Sequence, residues 1–237
     1  MITTFTHPRI CTFSHEIELW VDGKAVEVLR TDAADFANFI YDPADGPVEV
    51  KVNYRDRIPV DAVDIRPQAR SLQAEILGTC FIFELDRPEK LSLEIPGRSP
   101  LFFWANPPET DRPDPEDPNV LWFKGGQVYE AGRFNIEQGQ TLYIEGGAVV
   151  RGFVRADSVN NVTLRGHGIL DGGYYLHGGR EFHHLARFFN CKGITVRDLT
   201  MIRPSGWMLV PVASEDVEIF NLKQISEVVS SDGIDVV

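Results

Sequence analysis

Four short apolar triplets, Leu142-Tyr143-Ile144, Val162-Thr163-Leu164, Ile194-Thr195-Val196 and Val217-Glu218-Ile219, recur through the second half of the chain at spacings of 20, 32 and 23 residues. A strand that returns at such intervals cannot bury its apolar face alone. Successive copies must stack, each turn covering the last, and the connections between strands absorb the differences in length. Asn161, Asn190 and Asn221 stand beside these strands, where a coil corner calls for the left-handed backbone that Asn tolerates. Glycines at 146, 147, 152, 166, 168, 172 and 173 suit tight corners as well. The pattern predicts a solenoid of strands, with a glycine-rich antiparallel barrel as the competing architecture.

The first half reads differently. Positions 1–118 hold 4 Gly and 13 Pro, and positions 119–237 hold 16 Gly and 2 Pro. A shift that sharp predicts two domains. Between them Asn106 to Pro118 is charged and proline-dense, which favours extended geometry and cannot pair as a central strand. The expected division is therefore residues 1–105, a linker over 106–119, and residues 120–237. Ahead of the linker, Ile17–Val21, Val48–Val52, Cys80–Leu85, Leu91–Ile95 and Leu101–Trp104 alternate or run apolar, as antiparallel strands with one wet face do. Asp22-Gly23, Asp45-Gly46 and Pro96-Gly97 supply turns. Short strands at this density predict a β-sandwich. Helical periodicity is weak, and Asp32–Phe39 is the one stretch that reads as a short helical turn.

The formal charge is −12, with no run of Lys and Arg. Phosphate contacts need such clusters, so neither nucleic acid nor a membrane surface is an expected partner. The acidity lies in the first half, so the second half can accept an anionic polymer without a strong repelling field. Cys11, Cys80 and Cys191 show no metal-ligand spacing and read as thiols in the fold, with neither a disulfide framework nor a zinc site. The opening residues from Met1 to Pro8 lack a basic segment followed by an apolar run. Cytoplasmic residence is expected if Met1 is the true start, and secretion if the chain begins further upstream.

Three stretches carry a family resemblance: Tyr143 to Gly152, Gly166-His167-Gly168-Ile169-Leu170-Asp171-Gly172, and Asn190-Cys191-Lys192-Gly193-Ile194-Thr195-Val196. They resemble the coils of pectin-type glycoside hydrolases. The closing Ser230-Ser231-Asp232-Gly233-Ile234-Asp235 is similar to the Asn-Thr-Asp-Gly-x-Asp signature of glycoside hydrolase family 28, the polygalacturonases. The resemblance spans positions 120–237. It implies an all-β fold, a right-handed parallel β-helix of which this chain holds the first coils, and hydrolysis with inversion of pectin or polygalacturonan-like chains. The related dextranase and isopullulanase family places a β-sandwich before the same helix, and an α-glucan is the alternative substrate. Carried over, Asp232 matches the first signature aspartate, which implies a base acting on the attacking water, and Asp235 matches the second. Ser230-Ser231 departs from the Asn-Thr of the pattern, and the family's later Asp-Asp, His and Arg-x-Lys motifs have no counterpart before Val237. The chain is therefore expected to be a fragment that does not complete the reaction alone, with its general acid beyond Val237. A chain that ended naturally there would instead favour a carbohydrate-binding or structural β-helix.

The chemistry explains the weight placed on these two residues. A glycosidic oxygen leaves only when a carboxyl group protonates it while a carboxylate on the other side of the ring draws a proton from water. On a strict strand Asp232 and Asp235, three apart, would face opposite ways; Gly233 offers a bend that relieves this. Several other residues are weighed as well. His177, His183 and His184 suggest a metal or acid/base site but read better as a solvent-facing loop. Trp207 suits either a sugar ring or internal packing. Arg197 and Arg203 could fork onto uronate carboxylates, though a surface strand charge is the simpler reading. Asp171 with Asp157 hints at calcium, as in pectate lyases, but no dense carboxylate cluster accompanies them. No cofactor and no metal are expected.

Overall fold

The computed structural model describes residues 1–173, 175–179 and 183–237. Among them there are strands and two short 3-10 turns but no α-helix. Two compact units divide the chain: Met1–Phe5 with Arg9–Thr110, and Thr6–Pro8 with Asp111–Val237.

The first unit is a sandwich of two sheets. One orders Lys24–Val26, Ile17–Val21, Val48–Tyr54, Cys80–Leu85 and Glu75–Leu77, all antiparallel. The other orders Ile2–Thr4, Asp35–Tyr41, Leu101–Asn106, Glu89–Glu94 and Asp64–Arg66, with Val28–Arg30 on the flank of Asp35–Tyr41. Alternate residues of both sheets meet in one core, Leu19, Val50, Val52, Phe81 and Phe83 against Phe39, Tyr41, Leu93, Leu101 and Phe103. The rings of Phe83 and Phe103 cross edge to face at 5.8 Å, a favoured aromatic arrangement. Asp22 and Gly23, both at positive φ, turn the first hairpin, as the Asp-Gly step predicts.

Asp32–Phe39 does not form a helical turn. From Asp35 to Tyr41 the chain is an interior strand, flanked by Ile2–Thr4 and Val28–Arg30 on one edge and, in parallel, by Leu101–Asn106 on the other. Six of its seven residues are buried. A strand covered on both faces loses the period-two signal, which is why its apolar run was legible only as a helix-like stretch.

The second unit is a parallel β-helix. Its first sheet stacks Val120–Phe123, Thr141–Ile144, Asn160–Arg165, Lys192–Arg197 and Glu215–Phe220. Leu121 pairs with Leu142, Leu142 with Leu164, Leu164 with Val196 and Val196 with Ile219, offsets of 21, 22, 32 and 23 residues. The first expected spacing, 20, is therefore two residues short. A slip of two keeps the same side chains inward, so alternation alone cannot detect it. Leu142, Leu164 and Val196 are fully buried at the heart of the helix. Asn161, Asn190 and Asn221 all take positive φ, as coil corners require.

A seven-stranded second sheet bends into two arms. Val149–Asp157 is shared: Val149–Arg151 pairs with Ile169–Asp171, and Val154–Asp157 with Ala186–Phe189. The first arm continues through Thr200–Ile202 to Lys223–Ile225, the second through Leu209–Val212. The bend falls at Gly152, whose φ is 147°. A Cβ there would lie 2.1 Å from the carbonyl oxygen of Gly132 in the coil below, so two backbones touch where only glycine fits.

Candidate functional site

The second arm positions the Asp-Gly-x-Asp step. Where this arm begins in each coil, two consecutive amides donate to two consecutive carbonyls: Leu185 N to Trp207 O and Ala186 N to Met208 O at 3.0 and 2.7 Å, then Met208 N to Asp232 O and Leu209 N to Gly233 O at 2.8 and 3.0 Å. Asp235 N returns to Leu209 O at 3.0 Å, and Leu209 bridges Ile234 in parallel. This repetition makes His184, Trp207 and Asp232 equivalent positions in three successive coils. Arg187, Val210 and Asp235 are equivalent three residues later, and Arg155 pairs with Arg187 one coil earlier.

The equivalence aligns the two carboxylates with residues of the coils before them. In the two complete coils the residues between the outer positions, Leu185 with Ala186 and Met208 with Leu209, are consecutive and both belong to the helix core. A straight strand cannot turn two neighbours inward; the corner that opens this arm does. Gly233 and Ile234 align with these pairs by register, and Asp232 and Asp235 flank them at the same corner; Ile234 is itself 46% exposed, and Val210, aligned with Asp235 one coil earlier, is buried. Asp232 is exposed and Asp235 half-buried. Gly233 is held by Gln224, which extends the inward column after Met201 and donates from Nε2 to Gly233 O at 2.6 Å.

Aromatic rings accompany the carboxylates along this face. His184 lies almost flat on Trp207, with centroids 5.0 Å apart and an interplanar angle of 17°. One coil back His183 stacks on Phe153 at 3.8 Å, and Tyr175 meets both rings edge-on. Burial holds the His184 imidazole below its ordinary pKa; Arg155 and Arg187 push it the same way and Asp235 opposes them. His184 is therefore a neutral ring at pH 7. His183 and His184 lie in a connection between strands, half-buried, with their rings on neighbouring rings. His177, whose Nδ1 lies 2.9 Å from Ser205 O, is exposed; Arg180 and Glu181, which follow in the same loop, fall outside the described residues.

The remaining sequence candidates serve the scaffold. Arg203 forks onto Asp171, with Nε to Oδ1 at 3.0 Å, and Gly173 N also donates to Oδ1 at 2.9 Å. Asp171 is 1% exposed, so its oxygens are engaged inside the coil, away from any cation in solvent. Asp157 pairs loosely with Arg187 at 3.9 Å. Arg197 is bound to Asp198 and Asp111 at 2.7 and 2.9 Å, which leaves its fork engaged within the protein. Asp198 is buried, yet bonds from Arg197 and Asn221 outweigh that desolvation and keep its carboxyl below the usual range.

Sequence reasoning missed three features. Asp111, placed in the linker, receives both Arg165 and Arg197, at 2.8 to 3.1 Å. Gln224, which holds Gly233, drew no attention. Arg133, Arg155 and Arg187 went unremarked, although Arg155 interrupts an apolar run at strand alternation.

No family model matches the chain, and no curated protein matches it. Among solved structures, a protein of Parabacteroides merdae provisionally described as a glycosyl hydrolase superposes with a TM-score of 0.39 at 17% identity, over 49% of this chain and 63% of that one. The family 28 exopolygalacturonase of Yersinia enterocolitica superposes with a TM-score of 0.46 at 10% identity, over 79% of this chain and 58% of that one. The chain thus spans less than two thirds of either neighbour's length.

Proposed function

We propose that this protein is a glycoside hydrolase that cleaves pectin or polygalacturonan-like chains with inversion, Asp232 serving as the base on the attacking water and Asp235 as its companion carboxylate. The observation that supports this reading is the register, which brings Asp232 and Asp235 to either side of Gly233 and Ile234 at the corner that opens the second arm. A water held between two carboxylates is oriented and polarised, as attack on an anomeric carbon requires. The His184–Trp207 stack lies one and two coils before Asp232 and offers a flat apolar edge for a pyranose ring beside the reacting bond. Nothing in this scheme draws on a metal. The scheme also requires an acid that protonates the leaving oxygen.

The test is Asp232→Asn in the full-length protein, assayed for reducing ends released from polygalacturonate. Turnover should fall by roughly 10² to 10⁴-fold, the usual weight of a positioned base. The melting temperature should not move, because the side chain is exposed. Retained turnover in a folded variant would sink the assignment.

A further inference from the structure

The column of aligned positions that ends at Asp235 passes through a group of cations with little carboxylate beside it among the described residues. Arg155 and Arg187 are paired neighbours on adjacent coils, and Arg133 sits beside Phe153 on the coil before. Arg155 is only 7% exposed. Its Nη1 donates to two carbonyls, Val154 O and His184 O, both at 2.8 Å, and its guanidinium lies over the Phe153 ring at 4.6 Å. Carbonyls and a ring orient a cation but do not neutralise it. Among the described residues no carboxylate pairs with Arg155 or Arg133, and Arg187 has only the distant Asp157, at 3.9 Å. Elsewhere on the helix the pattern is the reverse: Arg151, Arg165, Arg197 and Arg203 all hold a carboxylate. In a chain of net charge −12, carboxylates were plentiful, yet among the described residues this cluster has only the distant Asp157.

Burial first, then repulsion from Arg187 and Arg133, pushes the Arg155 guanidinium down to about 10. The group still carries its charge at pH 7, and the desolvation is unrelieved. An anion entering between Arg155 and Arg187 would relieve it, and guanidinium forks match carboxylates in two-point fashion. The register sets the distance. Arg155, Arg187, Val210 and Asp235 climb one position per coil, so Arg187 lies two steps and Arg155 three from Asp235. At about 4.8 Å per coil that is roughly 10 to 14 Å.

We infer that Arg155 and Arg187, assisted by Arg133, form a subsite that reads an acidic substituent of a bound saccharide some two to three coil steps from the Asp232–Asp235 pair. This rests on the saccharide-processing reading above and adds to it which residues select the charged chain, and where. The subsite binds and positions; it takes no part in bond cleavage.

The experiment is calorimetric titration of the protein with a defined oligogalacturonate and with its fully methyl-esterified form, at low and moderate salt, for the unaltered chain, Arg187→Gln and Arg133→Gln. Both substitutions remove half-buried or exposed side chains, and a thermal melt confirms each variant is folded. The acid form should bind at least tenfold more tightly than the ester. Arg187→Gln should abolish most of that preference and flatten its salt dependence, with Arg133→Gln giving a smaller loss. Equal affinity for acid and ester, or a folded Arg187→Gln with unchanged preference, overturns the inference. Its failure is separable from that of the hydrolase reading: acid-selective binding lost in Arg187→Gln, together with full turnover in Asp232→Asn, would refute the catalytic assignment and leave the subsite standing.

Discussion

Replacing Asp111 with Asn should loosen the β-helix by an amount that can be worked out from its contacts. The carboxylate bridges two coils, accepting from Arg165 at 3.1 and 2.8 Å and from Arg197 at 2.9 and 3.1 Å. The bonds from Arg165, only partly offset by desolvation, and those from Arg197 lower its pKa from 3.8 to about 2. Taken at face value a shift of that size corresponds to ~2.5 kcal/mol. The side chain is 53% exposed, so solvent screening removes more than half of it and leaves ~1 kcal/mol. Arg165 is 9% exposed, and weakening its acceptor adds about 0.5 to 1 kcal/mol. The expected loss at pH 7 is therefore about 1 to 2 kcal/mol, or roughly 3 to 8 °C in the melting of the second unit. The sign of the pH dependence follows from the depressed folded pKa. The stabilisation is complete above the unfolded value near 3.9 and disappears as pH falls through about 2, so the two proteins should converge there. Urea denaturation at pH 7, 4 and 2.5, followed by the fluorescence of the tryptophans, measures this. A difference below about 0.3 kcal/mol at pH 7, or one that persists undiminished at pH 2.5, would show that the clasp contributes nothing.

Gly152→Ala should destabilise the second unit by about 2 to 4 kcal/mol, since both a φ of 147° and a backbone oxygen 2.1 Å away oppose a methyl group; equal urea midpoints would contradict this. Leu164→Ala, which empties a fully buried site between Leu142 and Val196, should cost about 2 to 5 kcal/mol without changing the fold, as read by denaturation and circular dichroism. Trp207→Ala should weaken acidic and methyl-esterified oligosaccharides alike, by roughly tenfold, because a stacking surface ignores charge; selective loss of the acid form alone would contradict the stacking role. Trp207→Phe should restore most of the affinity in the same titration.

Much of the fold was legible because alternation and glycine report local geometry directly. Leu142, Leu164 and Val196 announced themselves as inward residues, and Asn161, Asn190 and Asn221 as corners. Register was harder: the offset of 22 between Leu142 and Leu164 differs from 20 by one full pleat, which no pattern of polar and apolar residues distinguishes. Asp35–Tyr41 was unreadable for a different reason, since its second face is covered by contacts far away in sequence. The candidate site was half legible. Asp232 and Asp235 were singled out through the resemblance of residues 230–235 to a family signature, but where they stand in the stack depends on the corner that turns Leu185 with Ala186, and Met208 with Leu209, inward together. The pairings of Asp111 and the isolation of Arg155 depend on which coil lies beside which, information that only the folded stack holds.

The corner with two inward residues has a consequence for how such a protein changes over time. At that place the two complete coils fix what must be small or apolar, Leu185 with Ala186 and Met208 with Leu209, while the flanking pair differs from coil to coil. Three coils already hold three unlike pairs there: His184 with Arg187, Trp207 with Val210, and Asp232 with Asp235. Chemistry at one level of the stack can therefore be exchanged on an unchanged backbone, with adjustment only of the side chains it meets on the next level, as His184 meets Trp207. The solenoid is in this sense a rack of interchangeable sockets, in which a new substrate preference requires only new side chains and no new backbone.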